Sequence, residues 1–320
     1  MNVLLVDADS HNGFPNLALM KLSAWLKEIN NGNLTIDLIK GLPDTAPLEP
    51  YDKVYVSCIF FQNKERVSQY ISQLEYVEIG GSGWDGETHL PLPDPIEHIQ
   101  PDYSLYGTDF SMGFTSRGCP NNCGFCIVPK KEGPIRDNAP IQEFLDPNHK
   151  KLVLLDNNFL ASPRWKENLE FIIDNDLKIN FNQGLDIRLV NEENAQLLSE
   201  CKYYNWTWKT KSLHFAFDDL RHWWQVLDGI DTLREAGIKP YRLMFYVLIG
   251  WNTYPSHDIE RVNLLVSQGA VPYIMTYNQN ENEWTKNYER YINGRYYQFI
   301  AFEKYMNGVL CRPFKMEGPE

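Results

Sequence analysis

From residue 112 onward, six short apolar runs alternate with helical patterns. That alternation restricts this part of the chain to a parallel sheet crossed by helices. The runs are 112–116, 151–156, 178–181, 213–217, 242–249 and 272–276. Helical spacing fills most of the gaps, at 164–174, 192–201, 224–236 and 256–268. Gly237 and Gly269 stand where helix C-caps belong. Six β/α units in series predict a closed or partly closed parallel barrel, in which chemistry gathers at the C-terminal strand ends.

The first hundred residues alternate in the same way. Residues 2–7, NVLLVD, make an apolar run of the kind found in buried parallel strands. A helix follows over 17–29, with Leu19, Leu22, Leu26 and Ile29 at helical spacing. Strands are predicted at 34–39, 53–61 and 76–83, with a polar helix at 64–74. This is a small α/β layer with a parallel sheet. Residues 83–106 hold Pro91, Pro93, Pro95 and Pro101, a density that argues for a linker. The predicted domains are therefore 1–105 and 106–320, with a Tyr-rich helix at 288–306 closing the second.

Composition excludes some classes. A chain of 320 residues with 43% hydrophobic and 22% charged residues can bury a sizeable core. Its formal net charge of -12 argues against a general nucleic-acid binder, because phosphate neutralisation needs basic surface. No run reaches the ~18 apolar residues that cross a bilayer. The N-terminus lacks the pattern of a signal peptide. The chain is expected to be intracellular and cytoplasmic, with no membrane partner. Its cysteines are then expected to be reduced.

Three of the six cysteines are scattered, at Cys58, Cys201 and Cys311. The others form Cys119-Pro-Asn-Asn-Cys123-Gly-Phe-Cys126, on the loop after the first barrel strand. Gly118 and Gly124 let backbone wrap a small object, and Pro120 stiffens the turn. Thiolates select soft metals and iron–sulfur clusters. Three cysteines cannot close a four-cysteine site, and no second ligand pair points to structural zinc. A 4Fe–4S cluster with one open iron is the expectation. The alternative is a non-catalytic iron–sulfur or zinc-binding module. None of the seven histidines shows paired ligand spacing.

This motif, with its aromatic before the last cysteine, resembles the radical-SAM superfamily signature, and the resemblance covers about 112–276. It implies that the open iron chelates S-adenosylmethionine and that reduction releases a 5′-deoxyadenosyl radical, which abstracts hydrogen from an unknown substrate. It implies an electron donor such as flavodoxin or ferredoxin. It places Phe125 near adenine, and Asn157 or Asn158 on the amine of the cofactor, although Asn is equally at home in a turn. Arg188 is a candidate for the carboxylate, or simply the ion-pair partner of Asp186. Asp218 is the candidate for the ribose, though Asp218-Asp219 also suits a helix cap. Ile249-Gly250 resembles half of the adenine motif, with Val247 where its first glycine belongs.

Residues 1–105 resemble the Rossmann-like cobalamin-binding domain that precedes many such cores, which makes cobalamin-dependent methyl transfer the leading elaboration. Asp9-Ser-His11-Asn-Gly13 is one residue short of the Asp-x-His-x-x-Gly ligand motif. Methylthiotransferases share the Arg-Gly-Cys-Pro start but need three N-terminal cysteines, where this chain offers Cys58 alone. The aromatic and basic stretch 202–211 is a packed hairpin, or a nucleic-acid contact through Trp206 and Trp208.

Overall fold

The computed structural model describes residues 1–10, 13–47, 50–86, 91–277 and 281–310. His11, His89 and Cys311 lie outside the described residues. The chain divides into two units, Met1–Asn180 and Phe181–Glu320. It is mixed α/β with several parallel sheets. No described helix is long and apolar enough to cross a membrane.

The first unit opens with strands β1 (Asn2–Asp7), β2 (Thr35–Lys40), β3 (Lys53–Ser57) and β4 (Val77–Gly80). They form a parallel sheet in the order β2-β1-β3-β4. Leu4 and Val6 pack with Val54, Val56, Val67 and Tyr70 on one face. Val3 and Leu5 pack with Leu19, Leu22 and Leu26 on the other. Burial on both faces explains why Val3–Val6 of β1 are all apolar, each residue contributing about 1.5–3 kcal/mol. The helix Leu17–Ile29 starts at Asn16, whose side chain accepts the Leu19 N–H.

The same unit continues with β5 (Ser111–Gly113), β6 (Ser116–Arg117), β7 (Arg136–Asp137), β8 (Lys151–Leu154) and β9 (Lys178–Phe181). Strands β5, β8 and β9 are neighbours in that order, and β5 and β8 run parallel. The expected strand 112–116 stops at Gly113, and Ser116–Arg117 instead pairs antiparallel with β7. The expected linker is also more regular than its prolines suggest. It carries short helices at Ser82–Asp85, Asp94–Glu97 and Tyr103–Leu105. One of the prolines, Pro95, sits in the first turn of a helix, where its missing N–H costs nothing.

The second unit holds β10 (Lys202–Tyr203), β11 (Leu213–Ala216), β12 (Leu243–Ile249) and β13 (Val271–Thr276). Strands β11, β12 and β13 form a parallel sheet in that order. Leu185 extends the pattern through a parallel bridge to Phe215. Helices Trp223–Glu235 and Pro255–Ser267 cross between the strands and end at Gly237 (φ +93°) and Gly269 (φ +76°). The expected single tail helix is two, Glu283–Asn293 and Phe302–Leu310. Arg295 breaks it in the left-handed region, at φ +59°. The stretch 202–211 begins with β10 and continues as a turn, with Trp208 at φ +61°.

Candidate functional site

In the first unit, Cys119, Cys123 and Cys126 lie half-buried on the segment after β6, and none of the five described cysteines is in a disulfide. Gly118 leads into the segment at φ +81°. A Cβ there would stand 2.2 Å from the Pro134 carbonyl oxygen and 2.6 Å from that of Gly133. Only glycine fits such a turn. The segment is held by the Gly118 N–H donating to Asn157 Oδ1 at 2.9 Å and the Cys119 N–H donating to the Gly133 carbonyl at 3.2 Å. The Cys126 N–H closes a turn on the Cys123 carbonyl at 3.0 Å. Two sulfurs accept N–H bonds, Cys126 Sγ from Val128 at 3.4 Å and Cys119 Sγ from Asn158 Nδ2 at 3.5 Å. The thiolate is the form that ligates metal. Phe125 is half-buried between the last two cysteines. Among the described residues, no three His, Cys, Asp or Glu side chains gather closely enough to hold a single metal ion.

Gly118→Ala is expected to displace the loop, combining a strained φ with a backbone clash. Iron retained per chain after reconstitution checks this, and should fall well below wild type while far-ultraviolet circular dichroism is unchanged.

Asp156 anchors the loop from the end of β8. Its buried carboxylate accepts from Thr115 N–H (3.1 Å), Thr115 Oγ1 (2.6 Å), Ser116 N–H (2.6 Å) and Ser116 Oγ (2.7 Å). Burial pushes its carboxyl up, and these four donors oppose that. Arg117 ties the loop to the N-terminal layer. It donates to Glu97 at 2.7 Å and lies 3.9 Å over the Phe114 ring, while Glu97 also pairs with Lys21 at 3.1 Å. Burial pushes Glu97 up, but Arg117 and Lys21 outweigh it and hold the carboxyl below its usual range. Sequence reasoning missed Asp156 and Arg117, because each acts through partners distant along the chain.

The β-sheet ends of the N-terminal layer carry a second feature. Asp9 Oδ1 accepts from the Phe60 N–H at 3.3 Å and from Asn63 Nδ2 at 2.6 Å, and Oδ2 accepts from the Ile59 N–H. This holds out Ile59, Phe60 and Phe61, the last 72% exposed. They follow β3, beside β1, where a sheet of this order reverses direction. Cys58, just before them, and Cys201 are buried thiols raised by desolvation, to about 11 and about 12.

In the second unit, Arg188 forks onto Asp186, with Nε to Oδ1 at 2.7 Å and Nη2 to Oδ2 at 2.6 Å. Asp218 and Asp219 divide their work. Asp219 caps the next turn by accepting from the Arg221 N–H at 2.9 Å, and the Arg221 side chain lowers its carboxyl to about 2. Asp218 instead accepts from the Leu248 N–H at 2.8 Å, joining the ends of β11 and β12. Burial raises the Asp218 carboxyl. Ile249 is buried at the end of β12, and Gly250 turns the chain at φ +77°.

Arg261, on the helix Pro255–Ser267, is fully buried. It donates to the Phe217 carbonyl at 2.7 Å, the Leu248 carbonyl at 2.8 Å and Asp258 Oδ1 at 2.5 Å. It clamps the same strand ends as Asp218. The signal was present as Asp258 and Arg261, three apart, in line with Val262 and Leu265 on the buried stripe.

His214, on β11, is largely shielded, and desolvation pulls its imidazole from 6.5 down to about 4. The unfolded chain takes up this proton below pH 6.5, and the folded chain refuses it until about pH 4. Stability is therefore lost as pH falls through that window. Urea midpoints at pH 7 and pH 5 should drop more for wild type than for His214→Phe.

No protein-family model and no curated protein matches the sequence. Among solved structures, the chain is similar to TsrM, a radical S-adenosylmethionine methyltransferase from Kitasatospora setae. With cobalamin and a 4Fe–4S cluster bound, TsrM aligns at a TM-score of 0.59 and 13% identity, over 86% of this chain and 74% of that one. With its tryptophan substrate and the SAM analogue aza-SAM bound, it aligns at 0.60 and 12% identity, over 85% and 72%. The two chains share a fold.

Proposed function

We propose that this chain is a radical-SAM enzyme that holds a 4Fe–4S cluster on Cys119, Cys123 and Cys126. The observation that carries the reading is the Gly118-wrapped loop with its three thiols, two of which already accept N–H bonds. The donor set fits a cluster with one open iron. The fold shared with TsrM supports the same reading. The chemistry such a cluster supplies, once reduced, is one electron for the sulfonium of S-adenosylmethionine, giving methionine and a 5′-deoxyadenosyl radical.

The chain's own residues bind and orient. In the first unit, Phe125 serves the adenine face, and Asn157 and Asn158 serve the amine end, with Asn158 also donating to the Cys119 sulfur. In the second unit, Asp218 serves the ribose, Ile249 and Gly250 the adenine edge, and Arg188, braced by Asp186, the carboxylate. We place the domains at 1–105 and 106–320, the second a partial barrel of six β/α units; the parallel sheets β2-β1-β3-β4 and β11-β12-β13 support the α/β character of each. A small flavodoxin- or ferredoxin-type donor in a reducing, cytoplasmic compartment would deliver the electron.

The N-terminal layer fits cobalamin, which would supply a methyl carrier. Ligands of parallel sheets bind outside the strand ends where the strand order reverses, here between β1 and β3, and the exposed Ile59, Phe60 and Phe61 would offer a flat macrocycle an apolar rim. Methyl transfer to an organic substrate is the elaboration this supports.

Electron paramagnetic resonance on anaerobically reconstituted, dithionite-reduced protein tests the reading. A 4Fe–4S signal that changes on adding S-adenosylmethionine is expected. A site that takes up zinc in preference and forms no cluster would overturn it.

A further inference from the structure

The sheet β11-β12-β13 has two very different faces. Leu213, Phe215, Leu243, Phe245, Val247 and Ile274 are buried on one. The other is a grid set by the strand register. Its first row is His214, Met244 and Val271, and its second is Ala216, Tyr246 and Tyr273. Its third begins with the Asp218 carboxylate on the Leu248 N–H and continues to Leu248 and Met275. The central-strand members Met244, Tyr246 and Leu248 are half-buried, while Tyr273 is 42% and Met275 49% exposed.

Parallel sheets are normally covered on both faces, and a solvated face would carry Lys, Glu or Thr. This face carries rings, thioethers and aliphatic groups. Among the described residues of these three rows, Asp218 at the C-terminal edge is the one carboxylate. The rings form an edge-on ladder. His214 and Tyr246 have centroids 5.8 Å apart at 78°, and Tyr246 and Tyr273 5.8 Å apart at 86°. Rings so arranged present edges and faces in alternation, which suits another ring. Burial increases from the β13 edge toward the central strand, and the patch is three residues wide. That is the scale of one small molecule rather than a protein surface.

We infer that this face is the substrate wall, and that the substrate presents a flat, uncharged aromatic ring to Tyr246, Tyr273 and Met275. The inference rests on the proposed function for the word substrate, but the binding it asserts does not need the cluster. His214 adds no charge near neutral pH, because burial keeps it unprotonated. Sulfur against a ring edge adds to the preference for aromatics.

The test is a saturation-transfer NMR titration of the full chain, purified without cluster, with indole and with cyclohexanol as the non-aromatic probe. Wild type, Tyr273→Ala and Met275→Glu are compared, both substitutions lying at exposed positions. Indole is expected to bind saturably, to bind roughly tenfold more weakly in each variant, and to outcompete cyclohexanol. Absent indole binding, equal binding in all three proteins, or equal affinity for cyclohexanol would overturn the inference. Cluster and S-adenosylmethionine are absent from the titration, so its failure leaves the cluster reading standing. Failure of cluster assembly likewise leaves this result intact.

Discussion

Replacing Cys119, Cys123 and Cys126 together with Ala is expected to abolish cluster assembly: reconstituted wild type should carry iron and sulfide, and the variant neither above background. The effect is expected to be near total because the three thiolates are the proposed ligands, and among the described residues no trio of His, Cys, Asp or Glu gathers closely enough to hold a single metal ion in their place. The protein itself stays folded. The three cysteines are half-buried on a loop, and the anchors of that loop are Gly118, Asn157 and Asp156. An unchanged circular dichroism spectrum and an unfolding free energy within ~0.5 kcal/mol of wild type are expected, as for substitutions away from a packed core. Single replacement of Cys58 or Cys201, both buried thiols, leaves iron content unchanged. Iron retained by the triple variant at the wild-type level would contradict the assignment.

Arg261→Ala is expected to cost about 3–5 kcal/mol of stability, the range for removing one partner of a buried ion pair. Three acceptors lose their donor at once: the Phe217 and Leu248 carbonyls and the Asp258 carboxylate. Asp258 is then a buried charge without its counter-ion. Arg261→Lys recovers little, since an ammonium on a single stem does not reproduce the fork that spans two strand ends. Chemical denaturation reads the loss directly. A difference below ~1 kcal/mol would remove Arg261 from its place as the clamp. Because the clamp sets the ends of β11 and β12, it also positions Asp218. Affinity for S-adenosylmethionine should fall more than that of a variant equally destabilised elsewhere.

The sequence displayed the strands well where both faces are buried. In β1, uniform apolarity over Val3–Val6 has one explanation, and the structure buries all four side chains. The crossing helices were equally readable, since Leu19, Leu22 and Leu26 repeat at the helical period and pack together on the sheet. Short elements escaped. Asp94–Glu97 is a single turn, too brief for periodicity, and its prolines masked it. The tail was read through Arg295 because nothing in the local sequence demands a left-handed residue there. At the loop, cysteine spacing was legible because one short segment carries all three thiols. Asp156, Arg117 and Arg261 were not, because their partners lie far along the chain and only folding brings them together. Asp218 and Asp219 show the same limit. Adjacent and chemically identical, they are separated by geometry alone, one turned to the β12 backbone and the other to Arg221.

The most direct test of the central claim is product analysis after anaerobic reconstitution, reduction with dithionite and addition of S-adenosylmethionine. The account predicts 5′-deoxyadenosine from wild type and none from the Cys119, Cys123 and Cys126 triple alanine variant. An intact, reducible cluster that yields no 5′-deoxyadenosine with or without hydroxocobalamin and aromatic substrates would contradict it.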